Sequence, residues 1–351
     1  MRIAIAGAGT TGAYCCRLLK NKGFQVHLYD RKRKTACGIN PCAWGTSVGF
    51  TELASTAGLY PEKYILQRFD SVIMDDVLVK GNLMTFDKPA FLRDLLGDVD
   101  IRDGGIPAHQ YDRIIDATGV ARSYLPPLPN DLLLPATQHR VQTKEPLQNR
   151  IKLTRVGYAW CFPLGEMGAH IGCGSLVGDP DKALEEIGWL PKRWGNPHGH
   201  VLCACKGRLR LSSPLHSQPF CVEGPPGGIW GIGEAIGCVA PLAGDGIVPG
   251  MRSVQLLLDH WEDPANYTRA VLKEFEWMTR ERHVVNKLLA ASPLGVKDAW
   301  VLRKNSRRMA MKVGFKEALG FLKTLRTRSR ESEAGCSRRA RGTSSHNTGQ
   351  E

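Results

Sequence analysis

With 351 residues, 42% of them hydrophobic and 23% charged, the chain can bury a substantial core as two lobes or one large α/β body of a soluble enzyme. No apolar run approaches the roughly 20 residues of a membrane span, and Met1 runs straight into a strand with no room for a signal peptide, so a cytoplasmic protein is expected. The net charge of +13 is concentrated late, where Arg303 to Arg341 holds thirteen Lys and Arg against three acids. Such a run suits an anionic membrane surface, whereas the lack of zinc-finger spacing and of an aromatic RNA-binding signature speaks against nucleic acid.

Arg2 to Ala6 alternates small and branched apolar residues, as a buried parallel strand does. Gly7-Ala8-Gly9-Thr10-Thr11-Gly12 follows, then a helical stretch from Ala13 to Lys22 that Gly23 is placed to end. A second strand, Gln25 to Tyr29, closes on Asp30 and Arg31. Gly7 permits the tight turn, Gly9 lets the backbone approach a pyrophosphate, and Gly12 lets helix and strand pack closely. The helix N-terminus offers free N–H groups and a partial positive charge to phosphates. Asp30, 18 residues beyond Gly12, is positioned to accept hydrogen bonds from a ribose diol. These features specify a dinucleotide, and the glycines by themselves do not separate NAD from FAD.

Further along, Asp87 is a plausible N-cap with Pro89 in the first turn of the helix that follows. Tyr111 to Asp116 reads as a short buried strand ending in the small-residue turn Ala117-Thr118-Gly119, and Pro126 to Pro129 marks a crossing between domains. In Gly157 to Gly165, alternation at period two puts Tyr158, Trp160 and Phe162 on one face of a strand, a pattern that ordinarily means core. Ile229 to Ile232 supplies another strand before Gly233-Glu234, and a helix from about Pro249 to Glu262 follows Gly244-Asp245-Gly246-Ile247. A long helical stretch is expected from Tyr267 to Leu289. A basic amphipathic helix is expected from Met311 to Leu325, with its apolar face on either a membrane or the protein body. Residues 330–351 are polar and basic and are expected to be disordered. The eleven cysteines include no C-x-x-C pair, so reduced thiols and no metal are expected.

Asp116-Ala117-Thr118-Gly119 resembles the "DATG" strand of two-dinucleotide-type flavoproteins. The segment from Gly233-Glu234 through Gly244-Asp245-Gly246-Ile247 is similar to the "GDAxG…GxGI" element of the p-hydroxybenzoate hydroxylase class of FAD proteins, with Glu234 where that class has Asp. Tyr158-x-Trp160-x-Phe162-Pro163 resembles the Y-x-W-x-F-P signature of geranylgeranyl reductases, and Cys37-Gly38 their Cys-Gly loop near the flavin. The resemblance implies an α/β fold: a discontinuous Rossmann-type FAD-binding domain (1–60, 98–125 and 225–265), an inserted strand-rich α+β substrate domain (61–97 and 126–224), C-terminal helices (266–329) and the tail. It implies that FAD is held by the first glycine turn, Asp30, Arg31, Cys37, Gly38, Thr118, Gly119, Gly233, Glu234, Gly244, Gly246 and Ile247. Tyr158, Trp160, Phe162 and Pro163 would line an isoprenoid cavity, and Cys37 is the candidate catalytic residue.

The implied activity is reduction of geranylgeranyl or related double bonds in membrane-lipid precursors, with a prenyl lipid as substrate and peripheral contact at the inner face of the cell membrane. No second glycine fingerprint is present, and the sequence does not choose among transient NAD(P)H, ferredoxin and another carrier as the electron donor. The alternatives are a monooxygenase or halogenase of the same fold and a non-catalytic flavin-containing lipid-binding protein. A halogenase has W-x-W-x-I-P where this chain carries Tyr158 and Phe162.

Overall fold

The computed structural model describes residues 1–31, 42–47, 49–143, 146–189 and 200–342, with side chains described as far as Arg328. Its strands are β1 (Arg2–Ala6), β2 (Gln25–Tyr29), β3 (Gly45–Ser47), β4 (Ile65–Met74), β5 (Val77–Phe86), β6 (Ile101–Arg102), β7 (Arg113–Asp116), β8 (Leu133–Gln142), β9 (Arg150–Leu153), β10 (Gly157–Pro163), β11 (Ala169–Ser175), β12 (His200–Arg210), β13 (Cys221–Val222) and β14 (Ile229–Gly231). The helices are α1 (Thr10–Asn21), α2 (Gly49–Thr56), α3 (Lys88–Leu96), α4 (Pro180–Glu186), α5 (Ile247–Asp259), α6 (Pro264–Glu274), α7 (Glu276–Leu289), α8 (Val296–Arg308) and α9 (Phe315–Gly342).

Six strands form one sheet in the order β13-β14-β7-β1-β2-β6, parallel except for β13 against β14. Its central strands are apolar without alternation, and β1 is buried from Ile3 to Ala6 because both faces are covered. Helices α1, α2, α3, α5 and α6 share one core with this sheet. The second sheet has eight strands in the order β12-β8-β11-β10-β9-β4-β5-β3, antiparallel except where β4 meets β9. Leu184 of α4 packs on one of its faces, and α7, α8 and α9 pack near β4, β5 and β9.

Several elements fall differently from the sequence expectation. Helix α3 lies in the expected substrate piece but buries Phe91, Leu92 and Leu95 in the core of the six-stranded sheet. Asp87 does cap it, accepting from the Ala90 N–H at 3.0 Å. Conversely β3, within residues 1–60, pairs with β5 in the eight-stranded sheet. The expected helix from Tyr267 to Leu289 is two helices, because the buried Phe275 takes φ −107° and ψ 19° between them. Met311 bridges to Gly81, so α9 starts only at Phe315, and it continues past residue 330 to Gly342, where a disordered tail was expected. Residues 343–351 lie outside the described residues. On α9 the side chains of Ala318, Phe321, Leu322 and Leu325 are buried, so its apolar face docks on the protein body.

The end of β12 is tied to the first sheet by Arg210, whose side chain is 3% exposed. Its guanidinium donates to both oxygens of Asp131 at 2.9–3.0 Å and to the carbonyls of Gly119, Val120 and Glu234 at 2.9–3.1 Å. Removing one partner of a buried pair leaves an uncompensated charge, a loss of about 3 kcal/mol or more. Asp131→Ala is therefore expected to destabilise the protein by about 3 kcal/mol in chemical denaturation; a loss within experimental error would show that the carbonyls alone satisfy Arg210.

Candidate active site

Strands β1, β7 and β14 end at the same level, with Ala6 beside Asp116 and Asp116 beside Gly231. The turns that follow therefore meet in the crevice at the carboxyl ends of the parallel strands, where such sheets place their ligands. Gly7 has φ +101°, and a Cβ there would fall on the Ala117 carbonyl; a Cβ on Gly12 would fall on the carbonyl of Gly7. Gly233 presses against the Thr11 side chain at the start of α1. The structure thus brings together the three motifs that lie far apart in sequence: Gly7 to Gly12, Thr118-Gly119 and Gly233-Glu234.

The first turn of α1 suits a pyrophosphate. Its N-cap, Gly9, provides no side-chain cap; no acid lies in the first turn; and a Cβ on Gly9 would meet nothing within 4 Å. The Thr10 hydroxyl is buried without a hydrogen-bond partner among the described residues. Asp30 holds the loop, accepting from the N–H groups of Ala8 at 3.2 Å and Arg31 at 2.9 Å. Asp116, wholly buried, organises the second turn: one oxygen accepts from the N–H and hydroxyl of Thr118, the other from the N–H groups of Tyr124 and Leu125.

Glu234 lies against Gly119, and one of its oxygens accepts from the Arg210 N–H at 2.8 Å. Burial holds its carboxyl above the usual range, opposed by the Arg210 N–H and by the charges of Arg210 and Lys88. The turn from Ala240 to Gly246 is braced from three sides. The Tyr158 hydroxyl donates to the Ala243 carbonyl. Asp245 accepts from the N–H of Ile247, the first residue of α5, at 2.9 Å, and burial raises its carboxyl to about 6. Glu281 of α7, 2% exposed, accepts from the Leu242 N–H at 3.1 Å. Gly244 lies under the Tyr158 hydroxyl, and Gly246 against Val239.

Tyr158, Trp160 and Phe162 form a row along β10, with ring centroids 5.9 and 6.4 Å apart. The row runs from the Ala243 turn to Gly45, against which Phe162 packs. On β11, Gly172 stands opposite Trp160, and the indole lies where its side chain would be. Pro163 is buried at the end of the strand and its carbonyl accepts from Thr85 at 2.8 Å.

Sequence reasoning missed three residues on this face and beside it. His170, opposite Phe162, is 2% exposed, pairs Nδ1 with the Ala43 carbonyl at 3.1 Å and meets the Trp44 ring edge-on at 4.7 Å. Burial drives its pKa down to about 4, so the ring is neutral at physiological pH. Gln138 donates to the Cys42 carbonyl at 2.9 Å. Lys88, first in α3, is 7% exposed with no hydrogen-bonded or ion-paired partner among the described residues, and its charge acts on both Glu234 and His170. The alternating small residues from Ala169 to Ser175 were a signal for His170, whereas nothing local marked Lys88 as buried. Cys37 and Gly38 lie outside the described residues.

No protein-family model matches the chain. An uncharacterised protein of Methanocaldococcus jannaschii is 21% identical over 343 residues, covering 81% of this chain and 91% of that one. A geranylgeranyl bacteriochlorophyll reductase-like protein of Thermoplasma acidophilum superposes with a TM-score of 0.67 at 16% identity, over 86% of this chain and 90% of that one. A flavin-dependent halogenase from Xanthomonas campestris gives 0.61 at 14% identity, over 95% of each. The chain has the fold of the FAD-dependent oxidoreductases. At these identities the likeness is one of architecture, and it extends the resemblance to geranylgeranyl reductases from motifs to fold.

The brace at Glu281 gives a pH test. Burial raises its carboxyl from 4.5 to about 7, opposed by the Leu242 N–H, by Asn305 and by Arg308. The unfolded chain releases this proton first, so its contribution is intact below 4.5 and is lost as pH rises through about 7. Glu281→Gln keeps an acceptor for Leu242 and does not ionise. It is expected to match the parent below 4.5 and to exceed its stability by about 3 kcal/mol above 7, measured by urea unfolding across pH; parallel profiles would refute it.

Proposed function

We propose that the chain binds FAD and reduces isoprenoid double bonds, in the manner its sequence motifs imply. The observation that carries this reading is the aromatic row on β10, which begins at the turn braced over α5 and presents Tyr158, Trp160 and Phe162 side by side. A wall of three rings is apolar, rigid and wide enough for a prenyl chain, and Gly172 leaves the space that the Trp160 indole fills. FAD, when bound, would supply the hydride that one alkene carbon accepts while the other carbon takes a proton drawn ultimately from solvent, and the donor that recharges it would be NAD(P)H or a ferredoxin.

The remaining work falls to the chain. The uncapped N–H groups of Thr10, Thr11 and Gly12, with the buried Thr10 hydroxyl, hold the pyrophosphate, and Asp30 the adenosine ribose. Thr118, Gly119, Gly233 and Glu234 bound the crevice toward the ribityl chain, and Lys88 gives it a buried positive charge. Tyr158 donates to Ala243, and burial pushes its phenol well above the usual range, so it positions the turn instead of giving up a proton. Trp160 and Phe162 exclude water and align the alkene, which matters because an unactivated double bond is a poor hydride acceptor. A neutral His170 adds no charge to this apolar face.

The test is anaerobic incubation of the flavin-loaded protein with dithionite and a panel of prenyl phosphates and prenyl glycerolipids, read by mass spectrometry. Mass gains of two hydrogens per bond are expected, and Trp160→Ala should lower them about tenfold or more with flavin content unchanged. Lys88→Met should instead weaken FAD binding by about tenfold, read by flavin fluorescence. A flavoprotein that leaves every prenyl lipid unreduced, yet consumes NAD(P)H only with oxygen, would replace this reading with the monooxygenase one.

A further inference from the structure

A second surface lies away from this crevice, on the outer side of α8. Asp298 is the sole acid of that helix, and it is buried, capping the helix at Gly295 and pairing with Lys287 at 2.9 Å. The outward face carries Lys297, Arg303, Lys304, Arg307 and Arg308 with no acidic side chain among them. Two apolar residues share that face: Val296 is 60% exposed and Trp300 is 53% exposed. Trp300 is kept outward by its neighbours, with the Arg303 guanidinium 5.0 Å above its ring and Phe315 at 5.8 Å. Arg303, Arg307, Lys312 and Asn82 also line a groove of about 730 Å³, and the Nε of Arg303 is buried there without a hydrogen-bond partner among the described residues.

We infer that this face docks the protein on an anionic phospholipid bilayer. Trp300 and Val296 enter the headgroup boundary, and the groove takes a lipid phosphate. The charge of the helix is one-sided, with five cations and no exposed acid on α8 itself, and the nearest acids, Glu276 of α7 by Lys304 and Glu317 by Gly314, leave the patch positive by three. A cation-rich helix with a protruding indole is the composition of an interfacial helix. Nucleic acid would use the same cations but leaves Val296 and Trp300 without purpose. The inference also relocates the membrane contact expected from sequence: the apolar face of α9 is already consumed by the protein body, whereas α8 buries Ala299 and packs Val301 and Leu302 inward but leaves Val296 and Trp300 outside. It does not rest on the proposed reductase activity.

The experiment is co-sedimentation of the full chain with vesicles of phosphatidylcholine alone and of phosphatidylcholine with phosphatidylglycerol in equal parts. Binding is expected only to the anionic vesicles, weakening as salt rises. Arg303→Gln with Arg307→Gln should reduce it about 30-fold, the factor for two cations lost at such a surface. Trp300→Ser should abolish the blue shift in tryptophan emission that accompanies binding, with unfolding midpoints confirming that the variants fold. A control, Arg338→Gln with Arg339→Gln and Arg341→Gln, should bind like the parent. Binding lost in the control and kept in the α8 variants overturns the proposal. So does equal affinity for a duplex oligonucleotide, or self-association that Trp300→Ser removes in the absence of any vesicle binding.

Discussion

The contact on which the rest of the molecule depends is the absence of side chains where the first two turns meet. The Gly7 carbonyl occupies the space a side chain on Gly12 would need, and the Ala117 carbonyl occupies the space a side chain on Gly7 would need. Helix α1 therefore sits directly on the end of β1, with β7 against it. A single methyl group here would push backbone against backbone, which no rotamer change relieves. Because the turn after β14 closes on Thr11, the same contact sets where Glu234 and the start of α5 lie.

From that point order is passed outward by buried polar groups. Arg122, with its backbone at φ 45°, donates to the carbonyls of Pro126, Pro219 and Ala235, while Arg210 ties β12 to Gly119 and Glu234. The Glu234 side chain accepts from the Arg210 N–H at 2.8 Å, a contact made by the longer acid at a position where the class of FAD proteins that the motif resembles carries Asp. Burial lowers the Arg122 pKa to about 10, with Arg210 as the next cause, so the two guanidiniums repel each other across the link. They are held because carbonyls and Asp131 satisfy their donors.

What could be read from the sequence was local. The glycine turn, the strands on either side, the Gly23 stop at φ +82° and the Asp87 cap each depend on residues within a few positions, and the structure has them. What could not be read depended on register. His170 and Phe162 share a face because β10 and β11 pair with that particular offset, and no spacing within either strand reveals it. Lys88 stands first in α3, and its burial follows from the packing of that helix on the core of the six-stranded sheet, which no residue near it in sequence reveals. The break at Phe275 was hidden because the apolar periodicity continues across it, with Val271 and Met278 both buried.

The face around Trp160 is unfinished when judged as a core. The indole N–H of Trp160, the side-chain carbonyl oxygen of Gln138 and the hydroxyl of Thr46 are buried without hydrogen-bond partners among the described residues. A buried polar atom left unpaired costs about 1–3 kcal/mol, and folded proteins keep few of them. On the opposite face of the same sheet Ala159, Cys161, Ile171 and Cys173 pack with Leu184 of α4 as an apolar layer, beside which the Arg150 Nε and the Thr154 hydroxyl are also buried without hydrogen-bond partners among the described residues. Two faces of one sheet, built from alternate residues of the same strands, thus differ in their apolar side chains: one carries the aromatic row, the other small and aliphatic residues. The face with the aromatic row also sets unpaired polar atoms beside a neutral histidine, so its rings stand in polar surroundings that strand alternation alone does not announce.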